Sequence, residues 1–80
     1  MITSPLTLQE ITILDRLARG FNYDAIAKEQ AVGVATLDVY VRIIRTKLAA
    51  KTTTQAVAFA VYKRWIHPFE LPLGNGGINK

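Results

Sequence analysis

Residues 6–48 read LTLQEITILDRLARGFNYDAIAKEQAVGVATLDVYVRIIRTKL, and the spacing of the apolar side chains in this stretch decides the fold. Ile11, Leu14, Leu17 and Ala18 recur at helical spacing behind Thr7-Leu8-Gln9-Glu10. That tetrapeptide fits a capping box, in which hydroxyl and carboxylate each satisfy an orphan backbone N–H. Gly20 suits a left-handed helix end. A second helix is expected from about Tyr23 to Gln30, capped by Asn22, with Tyr23, Ile26 and Ala27 inward. Ala31-Val32-Gly33 is a short link, and Gly33 is both a turn residue and a weak N-cap. A third helix follows, with Leu37, Tyr40 or Val41, Ile44 and Leu48 on its core face and Ala35, Asp38, Val39, Arg42, Arg45 and Thr46 opposite. Two helices joined tightly, the second with a solvent-facing polar arc, have the layout of a helix-turn-helix, a unit that sets a helix into the DNA major groove.

Downstream, Thr52-Thr53-Thr54-Gln55 offers a second capping box, Thr52 with Gln55, and opens a fourth helix. Ala56, Val57 and Ala60 suit close packing inward. Ala58, Val61, Tyr62 and Trp65 form another apolar surface, which reads as a dimer interface or as cover for the domain's own core. The four helices are expected near residues 7–19, 23–30, 34–49 and 53–66, an all-α arrangement. Residues 1–66 are expected to form the helix-turn-helix domain and 67–80 a C-terminal extension, partly flexible, since Pro68, Pro72 and the Gly74-Asn75-Gly76-Gly77 run break regular structure. That glycine run lacks the Lys-Ser/Thr and strand context of a phosphate loop.

Composition excludes several classes. Cysteine is absent and His67 is the single histidine, so thiolate and multi-histidine metal sites are ruled out and no cofactor is expected. No nucleophile–base pair is visible, so the chain does not read as an enzyme. No apolar run approaches the ~20 residues that span a bilayer, and no signal-peptide layout opens the chain, so a cytoplasmic protein without a membrane partner is expected. An 80-residue chain leaves no room for an effector-sensing domain, so control is expected from abundance or from a partner.

Charge is one-sided. The net charge is +4, but residues 1–41 balance to −2 and residues 42–80 to +6, with no acid between Asp38 and Glu70. Such a distribution suits a polyanion, and equally a solvated basic face.

The series Leu6-Thr7, Glu10, Leu14, Ala18, Gly20, Ile26-Ala27, Thr36-Leu37, Ile44 and Lys47-Leu48, continued by Thr54-Gln55-Ala56-Val57, resembles the LuxR/GerE-type DNA-binding domain of bacterial transcription regulators. The resemblance covers about residues 6–66 and implies a four-helix bundle whose third helix reads the major groove and whose fourth dimerises. Members commonly carry Arg at the place of Gln9, an acid at Thr12, Ser at Gly33, Lys at Asp38 and His at Tyr40. Asp38 is the departure of most consequence, since phosphates repel a carboxylate unless it accepts from cytosine N4.

The DNA-contacting set on this reading is Val34, Ala35, Thr36, Asp38, Val39, Arg42, Arg45 and Lys47. Arg42 lies nearest the bases, Arg45 and Lys47 nearer phosphate, and the Val and Ala side chains near thymine methyls. Thr36 either bonds phosphate or bonds back within its own helical turn. Two functions follow, the first the leading reading and the second its alternative. One is a single-domain transcriptional regulator that binds double-stranded DNA as a homodimer. The other is a protein-interaction module on the same fold, an antiactivator or co-regulator of a larger LuxR-type regulator or of RNA polymerase, which Asp38 and the Val-rich third helix favour.

Overall fold

The computed structural model describes residues 4–68. Within them the chain forms four helices, α1 (Leu8–Ala18), α2 (Tyr23–Gln30), α3 (Val34–Leu48) and α4 (Thr53–Tyr62), and no strand. The expectations for residues 69–80 lie outside the described residues.

Three of the four helices begin where a side chain replaces a missing backbone partner. The Thr7–Glu10 capping box is complete: Glu10 N–H donates to Thr7 Oγ1 at 3.1 Å and Thr7 N–H to Glu10 Oε1 at 2.8 Å. Leu6 and Ile11 occupy the two positions of a hydrophobic staple and both belong to the core. Asn22 Oδ1 accepts from Ala25 N–H at 2.9 Å. Thr52 caps α4 through Gln55 N–H, but Gln55 Oε1 accepts from Lys51 N–H at 2.7 Å rather than from Thr52, so the second box closes one residue early. Gly33 caps α3 with no side-chain bond.

The helix ends show where residue type and conformation part company. Gly20 is left-handed at φ +93°, as its type suggests. Between α2 and α3 the left-handed residue is Ala31 (φ 59°), while Gly33 sits at an ordinary φ of −79°. Ala49 (φ 53°) ends α3 in the same way, and its successor donates from Ala50 N–H to Arg45 O at 2.8 Å. The fourth helix stops at Tyr62, short of the expected residue 66. Arg64 turns left-handed (φ 63°), and Trp65 N–H returns to Ala60 O at 2.9 Å. The 3.6-residue spacing of Val61 and Trp65 therefore arises without a helix joining them.

Leu6, Ile13, Leu14, Ile26, Ala27, Leu37, Val41, Ile44, Ala56, Ala60 and Ile66 form one buried core. Val41, not Tyr40, is the fully buried member of its pair. Helices α1 and α3 each pack against every other helix, while α2 and α4 flank them and, among the described residues, do not touch each other. Ala56 and Ala60 are fully buried, which lets α4 approach α1 and α3 closely. The arrangement holds α3 by its core face along its length and leaves the opposite arc outside.

Candidate nucleic-acid interface

Helix α3 is rich in β-branched residues, which are poor helix formers, so packing of Leu37, Val41 and Ile44 holds it. With that stripe buried, helical geometry turns positions 35, 39, 42, 43 and 46 away from the core. Of the candidate residues, Val34, Ala35, Thr36, Val39, Arg42 and Lys47 are exposed, Asp38 is half-exposed at the edge of the same arc, and Arg45 is partly buried. The structure adds Ile43, which the sequence reading passed over. Val34, Val39 and Ile43 are 43%, 48% and 41% exposed, values high enough to make the outward arc substantially aliphatic. The signal for Ile43 was present: it lies four residues after Val39 and eight after Ala35, on one side of a helix.

Asp38 and Arg42 form an ion pair of 2.9 Å along the helix. Both side chains are largely exposed, so the pair contributes little to stability, but it cancels the carboxylate's charge where an approaching polyanion would feel it. Arg45 presents a different case: its Nε is buried with no hydrogen-bond partner.

Lys47 is committed within the fold. Its Nζ donates to Glu10 Oε1 at 2.9 Å and Oε2 at 3.2 Å, tying the end of α3 to the start of α1. Burial pushes the Glu10 carboxyl up, but the bonds from Lys47 and from Thr7 together outweigh it and hold the group below its ordinary range. One carboxylate thus completes a helix cap and an interhelix tether. Nothing local signals this second partner, 37 residues away in sequence.

Other cations are also bound internally. Arg16 Nε donates to Glu29 at 2.9 Å, joining α1 to α2, and its Nη1 lies 2.7 Å from Asp15. Arg19 Nε meets Asp15 at 2.8 Å, and its Nη2 donates to His67 O at 3.2 Å. Asp15, Arg16, Arg19 and His67 line an open groove of about 260 Å³ between α1 and the Trp65 segment, where both arginines already meet a carboxylate. Among the described residues no cluster of three or more His, Asp or Glu is arranged to hold a metal, and no helix is long and apolar enough to cross a membrane.

At the proposed dimer surface, Ala58 is exposed and Tyr62 is 79% exposed, so these two stand free. Val61 and Trp65 are half-buried and pack against the chain's own core. Trp65 lies beyond α4 rather than on its outward face, edge-on to Phe59 with ring centroids 5.7 Å apart. That corrects the expectation that all four residues share one helical surface.

Four helices, a short α2–α3 turn and an exposed arc on α3 define a helix-turn-helix of the four-helix class. The family model for bacterial regulatory proteins of the luxR family, GerE, matches residues 4–60, and the chain belongs to that family. Neither the curated proteins nor the solved structures give a significant match. The family is one of DNA-binding transcription regulators, not of enzymes.

Proposed function

We propose that this protein regulates transcription by laying α3 in the major groove of double-stranded DNA, as a homodimer in the bacterial cytoplasm. The observation that carries the reading is the exposure of α3's outer arc, from Val34 to Thr46, on a scaffold of the luxR family. In this reading Val34, Ala35, Val39 and Ile43 face base edges, Thr36 bonds a phosphate, and Asp38 and Arg42 act as a pair at the border between bases and backbone. Arg45 faces phosphate with its outer nitrogens. Lys47 serves by holding α1 against α3, since Glu10 occupies its ammonium. Ala58 and Tyr62 form the centre of the dimer contact, with Val61 and Trp65 at its rim.

Binding to a mixed-sequence duplex across a salt series tests the proposal. Affinity should fall steeply as salt rises, because every neutralised phosphate releases counterion. Arg42→Ala should cost about 1–3 kcal/mol of that affinity.

A protein-interaction role has its own support in the aliphatic arc and in the pairing of Arg42 by Asp38. On that reading the scaffold captures a larger LuxR-type regulator or RNA polymerase, and Asp38 works against DNA by neutralising the Arg42 charge that a phosphate would otherwise meet. Wild-type protein that binds no duplex at low salt, together with an Asp38→Lys variant that does, decides for this second role.

A further inference from the structure

The outward arc of α3 carries few polar groups able to read a base edge. Ala35, Val39 and Ile43 follow one another at intervals of four residues, and Val34 is exposed at the helix start. The strip from residue 35 to residue 43 is about 12 Å long by helix rise, comparable to three or four base-pair steps. Its one carboxylate, Asp38, and its nearest cation, Arg42, are bound to each other at 2.9 Å. No aromatic side chain is exposed on this arc, whereas protein-binding hot spots are rich in aromatic anchors. In the major groove the base edges present nitrogen and oxygen donors and acceptors, and thymine adds the C5 methyl, the apolar group an aliphatic strip can pack against. A Val or Ile pressed on an unmethylated edge removes water from polar atoms and returns no bond.

We infer that α3 recognises duplex DNA through pyrimidine C5 methyl groups, so that Val39 and Ile43 select thymine, and 5-methylcytosine over cytosine, at the positions they face. The inference rests on the DNA-binding reading above and goes beyond it by making methyl contact the source of sequence choice, by adding Ile43 to it, and by extending it to 5-methylcytosine. Basic charge from Arg45 onward supplies attraction to the backbone that is blind to sequence, and the methyl contacts supply the choice among sequences.

Fluorescence anisotropy at one low salt concentration, with poly(dA-dT), poly(dA-dU), poly(dG-dC) and poly(dG-5-methyl-dC) duplexes, tests it. Poly(dA-dT) should bind roughly four- to fifteenfold tighter than poly(dA-dU), the scale of one or two buried methyl groups. Methylation of cytosine should shift affinity in the same direction, and the salt slope should be unchanged. A V39S/I43S double variant changes only exposed positions and should keep the helical circular dichroism spectrum. It should bind the thymine and uracil duplexes equally. Equal affinity of the wild type for those two duplexes overturns the inference while leaving DNA binding intact. A thymine preference that survives in V39S/I43S also overturns it, because the selectivity then comes from duplex shape. Absence of binding to every duplex at low salt removes the DNA reading and this inference together.

Discussion

Glu10 stands at N3 of α1, bonded to the Thr7 backbone and to Lys47, and its carboxyl titrates below the ordinary range. A carboxyl depressed in the folded state contributes stability that is present above its unfolded value, about 4.3, and is lost as pH falls through the folded value. Glu10→Gln should therefore destabilise the domain by about 1–2 kcal/mol at neutral pH. In urea unfolding at neutral pH and again at an acid pH below the ordinary carboxylate range, the gap between variant and wild type should be narrower at the second. A gap of equal size at both pH values would assign the loss to packing rather than charge. Gly33 and Ala49 form a second pair of single-residue tests. Gly33 caps α3 at φ −79° with no side-chain bond, and a Cβ there meets nothing within 4 Å. Gly33→Ser should stabilise by about 0.5–1 kcal/mol, through the cap bond and a stiffer unfolded chain. Ala49 carries the opposite mismatch, a Cβ at φ 53°. Ala49→Gly should relieve more strain than it adds chain entropy, a net gain of about 0.5–1 kcal/mol. Thermal melts of the two variants, alone and combined, check both figures.

At the scale of the element, α4 and the turn after it separate association from folding. Tyr62 projects from the helix, while Trp65 is carried back onto the core by left-handed Arg64. If α4 forms the dimer, Tyr62→Glu should move the sedimentation boundary toward monomer with little change in monomer stability. Trp65→Ala should instead lower the melting temperature, because it removes the edge contact to Phe59 and cover over the core. A wild-type protein that sediments as a monomer at high concentration would end the dimer proposal. Helix α3 behaves differently, since its core face is already satisfied by Leu37, Val41 and Ile44. Changes on its outer arc should therefore act on binding and leave the fold alone.

For the whole molecule, stability rests on one small core shared by four helices. Ile44 lies fully buried on α3, which like α1 contacts every other helix. Ile44→Ala should cost about 2–5 kcal/mol, a large share of what a domain this small possesses. Chemical denaturation should show a markedly lower midpoint, or loss of the cooperative transition. The second global property is the split of charge, −2 over residues 1–41 and +6 over residues 42–80. In the folded chain Arg16 on α1 and Arg19 at its C-cap are absorbed by Asp15 and Glu29. Arg45, Lys51, Lys63 and Arg64 pair with no carboxylate among the described residues. The unneutralised charge thus follows the later half of the chain.

Helix count, the starts of the helices and the core were legible because they depend on local rules. Caps at Thr7, Asn22 and Thr52 act over three residues, and the 3.6-residue spacing of Leu37, Val41 and Ile44 marks a buried stripe without knowledge of what covers it. Family membership was legible for the same reason, since the residues that carry the resemblance include core positions such as Leu14, Ile26, Ala27, Leu37 and Ile44 and the cap pair Thr7 and Glu10. Three features were decided by tertiary structure. Lys47 finds Glu10 only when α3 crosses the start of α1, and that pairing neutralises a cation the sequence leaves unmatched. The fourth helix ends at Tyr62 although its apolar spacing runs on to Trp65, because contact with the core rather than helical periodicity makes residue 65 apolar. Left-handed Ala31 and Ala49 carry turns that glycine would favour locally, held by bonds from Val32 N–H to Ala27 O at 3.0 Å and from Ala50 N–H to Arg45 O. Local energies of about 1–2 kcal/mol choose a conformation only where packing is indifferent, and at these sites the packing of four helices outweighs them.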